Sequence, residues 1–238
     1  MNRQDAKSAK ETRDEASEIS FKSSSIRSIA YLTPQVASTH SSCYRPAMTA
    51  LRQPDSITVN DYLAGEASSE TKHEYFGGTV HAMAGATIRH NNIALNCLAA
   101  LHGKLRGKSC QPFNSDTKVR IEFPDHTRFY YPDAMVVCQS NPDSDHFQTQ
   151  PVVIIEVLSD STRRADLGEK RDAYLTIPSL KVLLFVEPEA PAVTLHRRLP
   201  EGGFAIERHS GLEAIIPLPE IEASLALADL YERVEFAL

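Results

Sequence analysis

The segment Pro151-Val152-Val153-Ile154-Ile155-Glu156-Val157-Leu158 sets the architecture. Five of its eight residues are β-branched, and four of these run without interruption. Such a run reads as a strand covered on both faces. A glutamate directly after it is costly unless paired or bound to a cation. The next residues, Ser159-Asp160-Ser161-Thr162, supply helix caps, and the spacing predicts a helix over 162–176. Pro178 disfavours helix at Ile177. Leu180–Val186 then reads as a second buried strand.

Working toward the N-terminus, Arg128–Cys138, Thr117–Phe123 and Ser109–Phe113 read as strands, and Gln139–Gln150 as an exposed loop. Thr87–Arg106 reads as a long helix with a stripe of His90, Ala94, Leu98, Leu101 and Leu105. Gly107 ends it. His73–Phe76 and Thr79–Met83 flank Gly77-Gly78, which signals a tight hairpin. A short helix starts near Thr58. Toward the C-terminus, Ala192–Leu199 and Phe204–His209 form a hairpin around Glu201-Gly202-Gly203, and Leu225–Val234 reads as a short helix. The sum is a mixed α/β chain with a central mixed sheet flanked by helices, a C-terminal β-hairpin and a short last helix.

Residues 1–47 differ in kind. They are rich in Ser, Lys, Glu and Asp, and too poor in periodic apolar residues to offset the entropy of ordering. We expect a poorly ordered extension over 1–47 and one folded domain over 48–238, with Met48 a candidate alternative start to Met1. The first part holds 7 Lys+Arg and 5 Asp+Glu, the remainder 18 and 26. That acidic balance excludes a histone-like or ribosomal-type nucleic-acid domain and leaves metal chemistry open. The longest apolar runs are too short to span a bilayer. No signal peptide is visible, and the acidic residues of 1–18 argue against a transit peptide. Cys43, Cys97, Cys110 and Cys138 form no close pair in sequence. Reduced thiols in a cytoplasmic protein are therefore expected, with Cys97 and Cys138 as small core residues.

Candidate chemistry lies in 131–174. Asp133, in Tyr131-Pro132-Asp133, opens one strand; Glu156 closes the next. Adjacent strands bring two such carboxylates together at one sheet end. Two carboxylates and a main-chain carbonyl such as that of Val157 suit Mg²⁺, a hard cation that takes oxygen ligands. On the following helix Asp166, Lys170 and Tyr174 recur every four residues and share a face. A lysine aimed at the acids would orient water or neutralise a phosphate. Each residue also has an ordinary explanation: a turn Asp, a solvated strand end, a surface i,i+4 pair.

The combination Tyr131-Pro132-Asp133, Glu156-Val157-Leu158-Ser159, Ser161-Thr162, Asp166, Lys170 and Tyr174 resembles the Uma2 family, formerly DUF820, within the PD-(D/E)XK nuclease superfamily. The likeness extends upstream to His73-Glu74-Tyr75-Phe76-Gly77-Gly78-Thr79-Val80, Met83-Ala84-Gly85-Ala86 and His90. Downstream it reaches through Ile177-Pro178-Ser179-Leu180 to Tyr231-Glu232, leaving 1–47 unmatched. The resemblance implies a restriction-endonuclease-like fold and a Mg²⁺-dependent endonuclease acting on DNA, with Mn²⁺ a possible substitute. It implies Asp133, Glu156, Val157 and Glu74 at the metal and Lys170 as the catalytic ammonium. His90, Asp166 and Tyr174 would lie around them. The superfamily's usual lysine two residues after the second acid is absent, because Leu158 stands there. The resemblance also implies a homodimer.

Two alternatives stay open. One is a non-catalytic DNA-associated or regulatory domain that keeps the fold. The other is hydrolysis of a small phosphoester in a closed pocket. Phosphate contacts on a duplex need cations, and the candidates are Arg89, Lys104, Arg106, Lys108, Lys118, Arg120, Arg163, Arg164 and Arg171.

Overall fold

A computed structural model describes residues 56–236. The expectations for residues 1–47, including the choice between Met1 and Met48, lie outside the described residues. Strands β1 (His73–Phe76) and β2 (Thr79–Ala82) form the expected hairpin, with Phe76 opposite Thr79. Gly77 and Gly78 sit at φ +53° and +110°, a left-handed pair open to glycine. β1 and β2 join β4 (Lys118–Glu122), β5 (Thr127–Tyr130) and the short β7 (Phe147–Gln148) in a five-stranded sheet of order β2-β1-β5-β4-β7.

The second sheet has six strands in the order β11-β10-β9-β8-β6-β3. These are β3 (Gln111–Asn114), β6 (Ala134–Val137), β8 (Pro151–Val157), β9 (Val182–Val186), β10 (Ala192–Arg198) and β11 (Phe204–Ser210). β8 and β9 are parallel and the other pairs antiparallel, so the sheet is mixed. As its composition requires, β8 is covered on both sides. Val153, Ile155 and Val157 face one core with helix α2 (Ile88–Leu105), while Ile154 and Leu158 join a second core containing Tyr174, Leu183 and Phe185. Period-2 alternation then turns Glu156 toward the second core.

Several sequence expectations change, among them the exposed loop read over Gln139–Gln150, which contains β7 and buried Gln148. Arg128–Cys138 is not one strand: β5 and β6 belong to different sheets, and the chain crosses between them at Tyr131-Pro132-Asp133, where proline donates no N–H. The buried stripe of α2 is Ile93, Cys97, Leu101 and Leu105; it shares Leu101 and Leu105 with the expected line and differs toward the N-terminus, where Ile93 and Cys97 take the places of Ala94 and Leu98. Leu225–Val234 is not a continuous helix. Its start belongs to β13 (Ala223–Ala226), paired with β12 (Ile215–Leu218), and only the single turn α5 (Leu227–Leu230) follows. Cys110 and Cys138 are joined in a disulfide, contrary to the expectation of reduced thiols; Cys97 is free and buried. The pairing was hidden by a sequence separation of 28. Antiparallel β3 and β6 align Gln111 with Val137, which sets the flanking cysteines opposite one another. No described helix is long and apolar enough to cross a membrane.

Candidate functional site

The helix after β8 is broken. Helix α3 (Arg163–Ala165) passes into a π-turn, Asp166–Lys170, and then α4 (Arg171–Leu175). The Arg171 N–H bonds to the carbonyl of Asp166 and so encloses one residue more than an α-turn. Asp166 and Lys170 are both buried as a result, while Glu169 between them points outward and pairs with Arg128 at 2.8 Å. That ion pair ties the β4–β5 hairpin to the residue beside Lys170.

Lys170 is the centre of the site. Its Nζ lies 2.9 Å from Glu156 Oε1, 3.3 Å from Glu74 Oε1 and 3.6 Å from Asp166 Oδ1. Glu156 Oε1 also accepts from the Tyr174 hydroxyl at 2.6 Å. The ammonium sits 5.7 Å from the centre of the Tyr130 ring. Three separate segments thus converge: β1, the end of β8, and the continuous stretch of π-turn and α4.

Asp133 stands next to this group rather than in it. Its Oδ2 accepts from the Val157 N–H at 2.7 Å and lies 3.3 Å from His90 Nε2. Thr87 positions the histidine, since its hydroxyl oxygen accepts the His90 N–H and caps α2. His90 Nδ1 is buried without a partner. Among the described residues no three His, Cys, Asp or Glu side chains form a ready-made metal cluster. The contacts explain this: Lys170 occupies the space between Glu74 and Glu156, and Asp133 is turned to Val157 and His90.

The electrostatics are lopsided. Glu74, Asp133, Glu156 and Asp166 bring four carboxyl groups against one ammonium and one imidazole. Burial is the largest influence on Glu156; Lys170 draws it down, but Asp133 and Asp166 push it up again, and it rises to about 8. Burial alone would lower Lys170. The combined field of Glu156, Glu74 and Asp166 outweighs that and raises it. The two rises are compatible, because the lysine collects three acids while the glutamate loses its hydration and faces two other acids. Desolvation works against a charged His90 as well, yet the bond and charge of Asp133 win and raise it. Burial, then Glu156, raise the Tyr174 hydroxyl, which therefore stays a donor.

The arginines proposed for phosphate contact are mostly engaged. Arg163 forms a two-pronged pair with Glu187 at 3.0 and 2.6 Å, Arg89 pairs with Glu189, Arg120 with Glu122, and Arg171 with Asp172. Lys108 bonds the carbonyl of Glu222. Lys118 is buried and cannot reach a duplex. Arg164, Lys104 and Arg106 are exposed and make no ion pair among the described residues.

Residues 59–228 match the Uma2 family, described as "putative restriction endonuclease". The chain belongs to the Uma2 family. Uncharacterized protein slr1290 of Synechocystis sp. is 30% identical over 182 residues, covering 76% of this chain and 94% of that protein. A second Synechocystis relative, uncharacterized protein sll1609, is 31% identical over 134 residues, covering 55% of this chain and 75% of its own. A crystal structure from Anabaena variabilis, described as a putative nuclease belonging to DUF820, superposes with a TM-score of 0.60 at 17% identity. It covers 76% of this chain and 100% of that one. The mixed α+β, nuclease-like fold is thereby shared. The Uma2 match covers all eight residues singled out around the site.

Glu66 and Tyr131 escaped assignment from sequence. Tyr131 was visible only as part of a motif. Glu66 carried one local signal: an acid on the last turn of helix α1 (Val59–Glu66), where the helix dipole disfavours negative charge.

Proposed function

We propose that the chain is a divalent-cation-dependent phosphodiesterase acting on DNA. One observation carries the reading: a buried lysine bridges Glu74 and Glu156 in a cluster holding more acid than base. The donors suit Mg²⁺, with Mn²⁺ as substitute. They are hard oxygens, and the four carboxyl groups of Glu74, Asp133, Glu156 and Asp166 outnumber the two basic groups, Lys170 and His90. Asp133, Glu156 and the Val157 main-chain carbonyl would hold the ion, with Glu74 completing the set. When bound, the ion supplies charge neutralisation at phosphate and a more acidic water.

The chain's own groups do the rest. Lys170 donates from a fixed position to water or to a phosphoryl oxygen, and its raised pKa keeps it an ammonium. Tyr174 and Asp166 restrain Glu156 and Lys170 from behind. His90 holds Asp133. Arg164, Lys104 and Arg106 are the basic side chains best placed by their exposure to meet phosphates. The same reading includes a cytoplasmic location and a homodimer through the free edge of β11. Sedimentation of the full chain tests the dimer.

The test is cleavage of plasmid and single-stranded DNA with Mg²⁺ or Mn²⁺. Wild type is expected to cut and Glu156→Ala to lose cutting; equal behaviour of the two overturns the proposal. A second reading, a non-catalytic DNA-associated or regulatory domain, draws on Leu158 in the usual lysine position and on the arginines tied up in pairs. Calorimetry with Mn²⁺ separates the two, since a working site binds the ion and loses it in Asp133→Ala.

A further inference from the structure

Glu66 ends α1 with no basic residue in its last turn to offset the free carbonyls. Its side chain is nevertheless only 6% exposed. A carboxylate so placed is unfavourable unless its oxygens are bonded, and here they are. Oε1 accepts from the His73 N–H at 2.9 Å and from the Tyr131 hydroxyl at 2.7 Å. Oε2 lies 3.1 Å from His73 Nδ1. The Tyr131 hydroxyl in turn accepts from buried Lys118 at 3.1 Å.

Both partners adjoin an acid of the site. His73 directly precedes Glu74 in β1, and strand alternation sends the two side chains to opposite faces. Tyr131 lies two residues before Asp133, with Pro132 between them to fix the intervening φ. This is where the chain passes from one sheet to the other. We infer that Glu66 is a positioning residue: one carboxylate pins the segment carrying Glu74 to the segment carrying Asp133, and so sets the spacing of the two acids. The inference rests on the metal-holding reading for its consequence in function, but its geometric content stands apart. The Val157 N–H, which bonds Asp133 Oδ2 and touches no part of Glu66, reports where Asp133 stands.

The experiment compares full-length wild type, Glu66→Ala, Glu66→Gln and Tyr131→Phe. Amide exchange at Val157 is read against Ile154 and Ile155 on the same strand, and Mn²⁺ affinity by calorimetry. In Glu66→Ala and Tyr131→Phe, Val157 is expected to lose about tenfold more protection than its strand neighbours, with Mn²⁺ binding weakened about tenfold, the scale for partners that orient ligands. Glu66→Gln keeps an acceptor for Tyr131 and should stay close to wild type. If Val157 falls only in step with Ile154 and Ile155, Glu66 merely stabilises the fold and the inference is overturned. Should Glu66→Ala not fold, Tyr131→Phe, which removes one oxygen, decides. If wild type binds no Mn²⁺, the metal reading fails while Val157 exchange still settles the positioning.

Discussion

Two buried lysines, Lys118 and Lys170, lie on neighbouring parts of this molecule and meet opposite surroundings. Lys118, 5% exposed, donates to one tyrosine hydroxyl and faces the rings of Tyr62 and Tyr131. Desolvation dominates there and lowers it, with Glu66 resisting. Lys170, 8% exposed, is surrounded by Glu156, Glu74 and Asp166 and is raised. The first network is nearly balanced, one carboxylate to one ammonium, as a structural joint should be. The second has an excess of acid, which folding alone would not favour. Burial depth is similar in the two, so it is the charge balance that separates a joint from a site.

The sharpest way to break this contrast is to remove each ammonium in turn. Lys170→Met leaves three acids facing one another without a cation. It should cost about 3–5 kcal/mol of stability by denaturant titration and reduce DNA cleavage at least about 100-fold. Lys118→Met removes one bond to Tyr131 and fills similar volume; a cost of about 1–2 kcal/mol is expected. Equal losses in the two variants would mean the acid excess carries no special meaning. Added cation sharpens the same point. Mn²⁺ at about 100 times its dissociation constant should stabilise wild type by about 2.7 kcal/mol, and Asp133→Asn should lose that increment, read as the difference between the metal-loaded and metal-free forms of each protein.

The fold was largely legible because its deciding signals are local. The run Val152–Ile155 announces a doubly covered strand, Gly77-Gly78 a hairpin, and the apolar periodicity over Thr87–Arg106 a long helix; each is found. What was not legible depends on distance. The switch of sheets at Pro132 leaves an apolar pattern that reads as one strand. The π-turn at Asp166–Lys170 leaves a periodicity that reads as an α-helix. The Cys110–Cys138 pairing needed the β3–β6 register. For the site, Glu74, Glu156, Lys170, Asp166 and Tyr174 meet as a group. The separate Asp133–His90–Val157 arrangement could not be foreseen, because it turns on side-chain rotation at the sheet crossing. The disulfide offers an intermediate test. It closes the end of β6 away from Asp133, so reduction should cost about 2–4 kcal/mol without altering Mn²⁺ binding.

The smallest effect comes from a residue outside both lysine networks. His196 on β10 is 8% exposed and packs edge-on against Phe185, their ring centres 5.9 Å apart. Burial, helped by the charge of Arg171, lowers its pKa below the ordinary 6.5. The folded chain therefore takes up this proton at lower pH than the unfolded chain does. Its contribution to stability is complete above about pH 6.5 and declines as the pH falls toward the lowered value, because protonation then favours the unfolded state. His196→Gln should flatten that part of the stability–pH curve, measured in urea between pH 5 and 7.5, and leave the lysine comparison untouched. A slope unchanged by the substitution would overturn the assignment to His196, because the neighbouring Glu207, held below its usual range chiefly by the hydrogen bond from Arg197, loses its contribution only below this window.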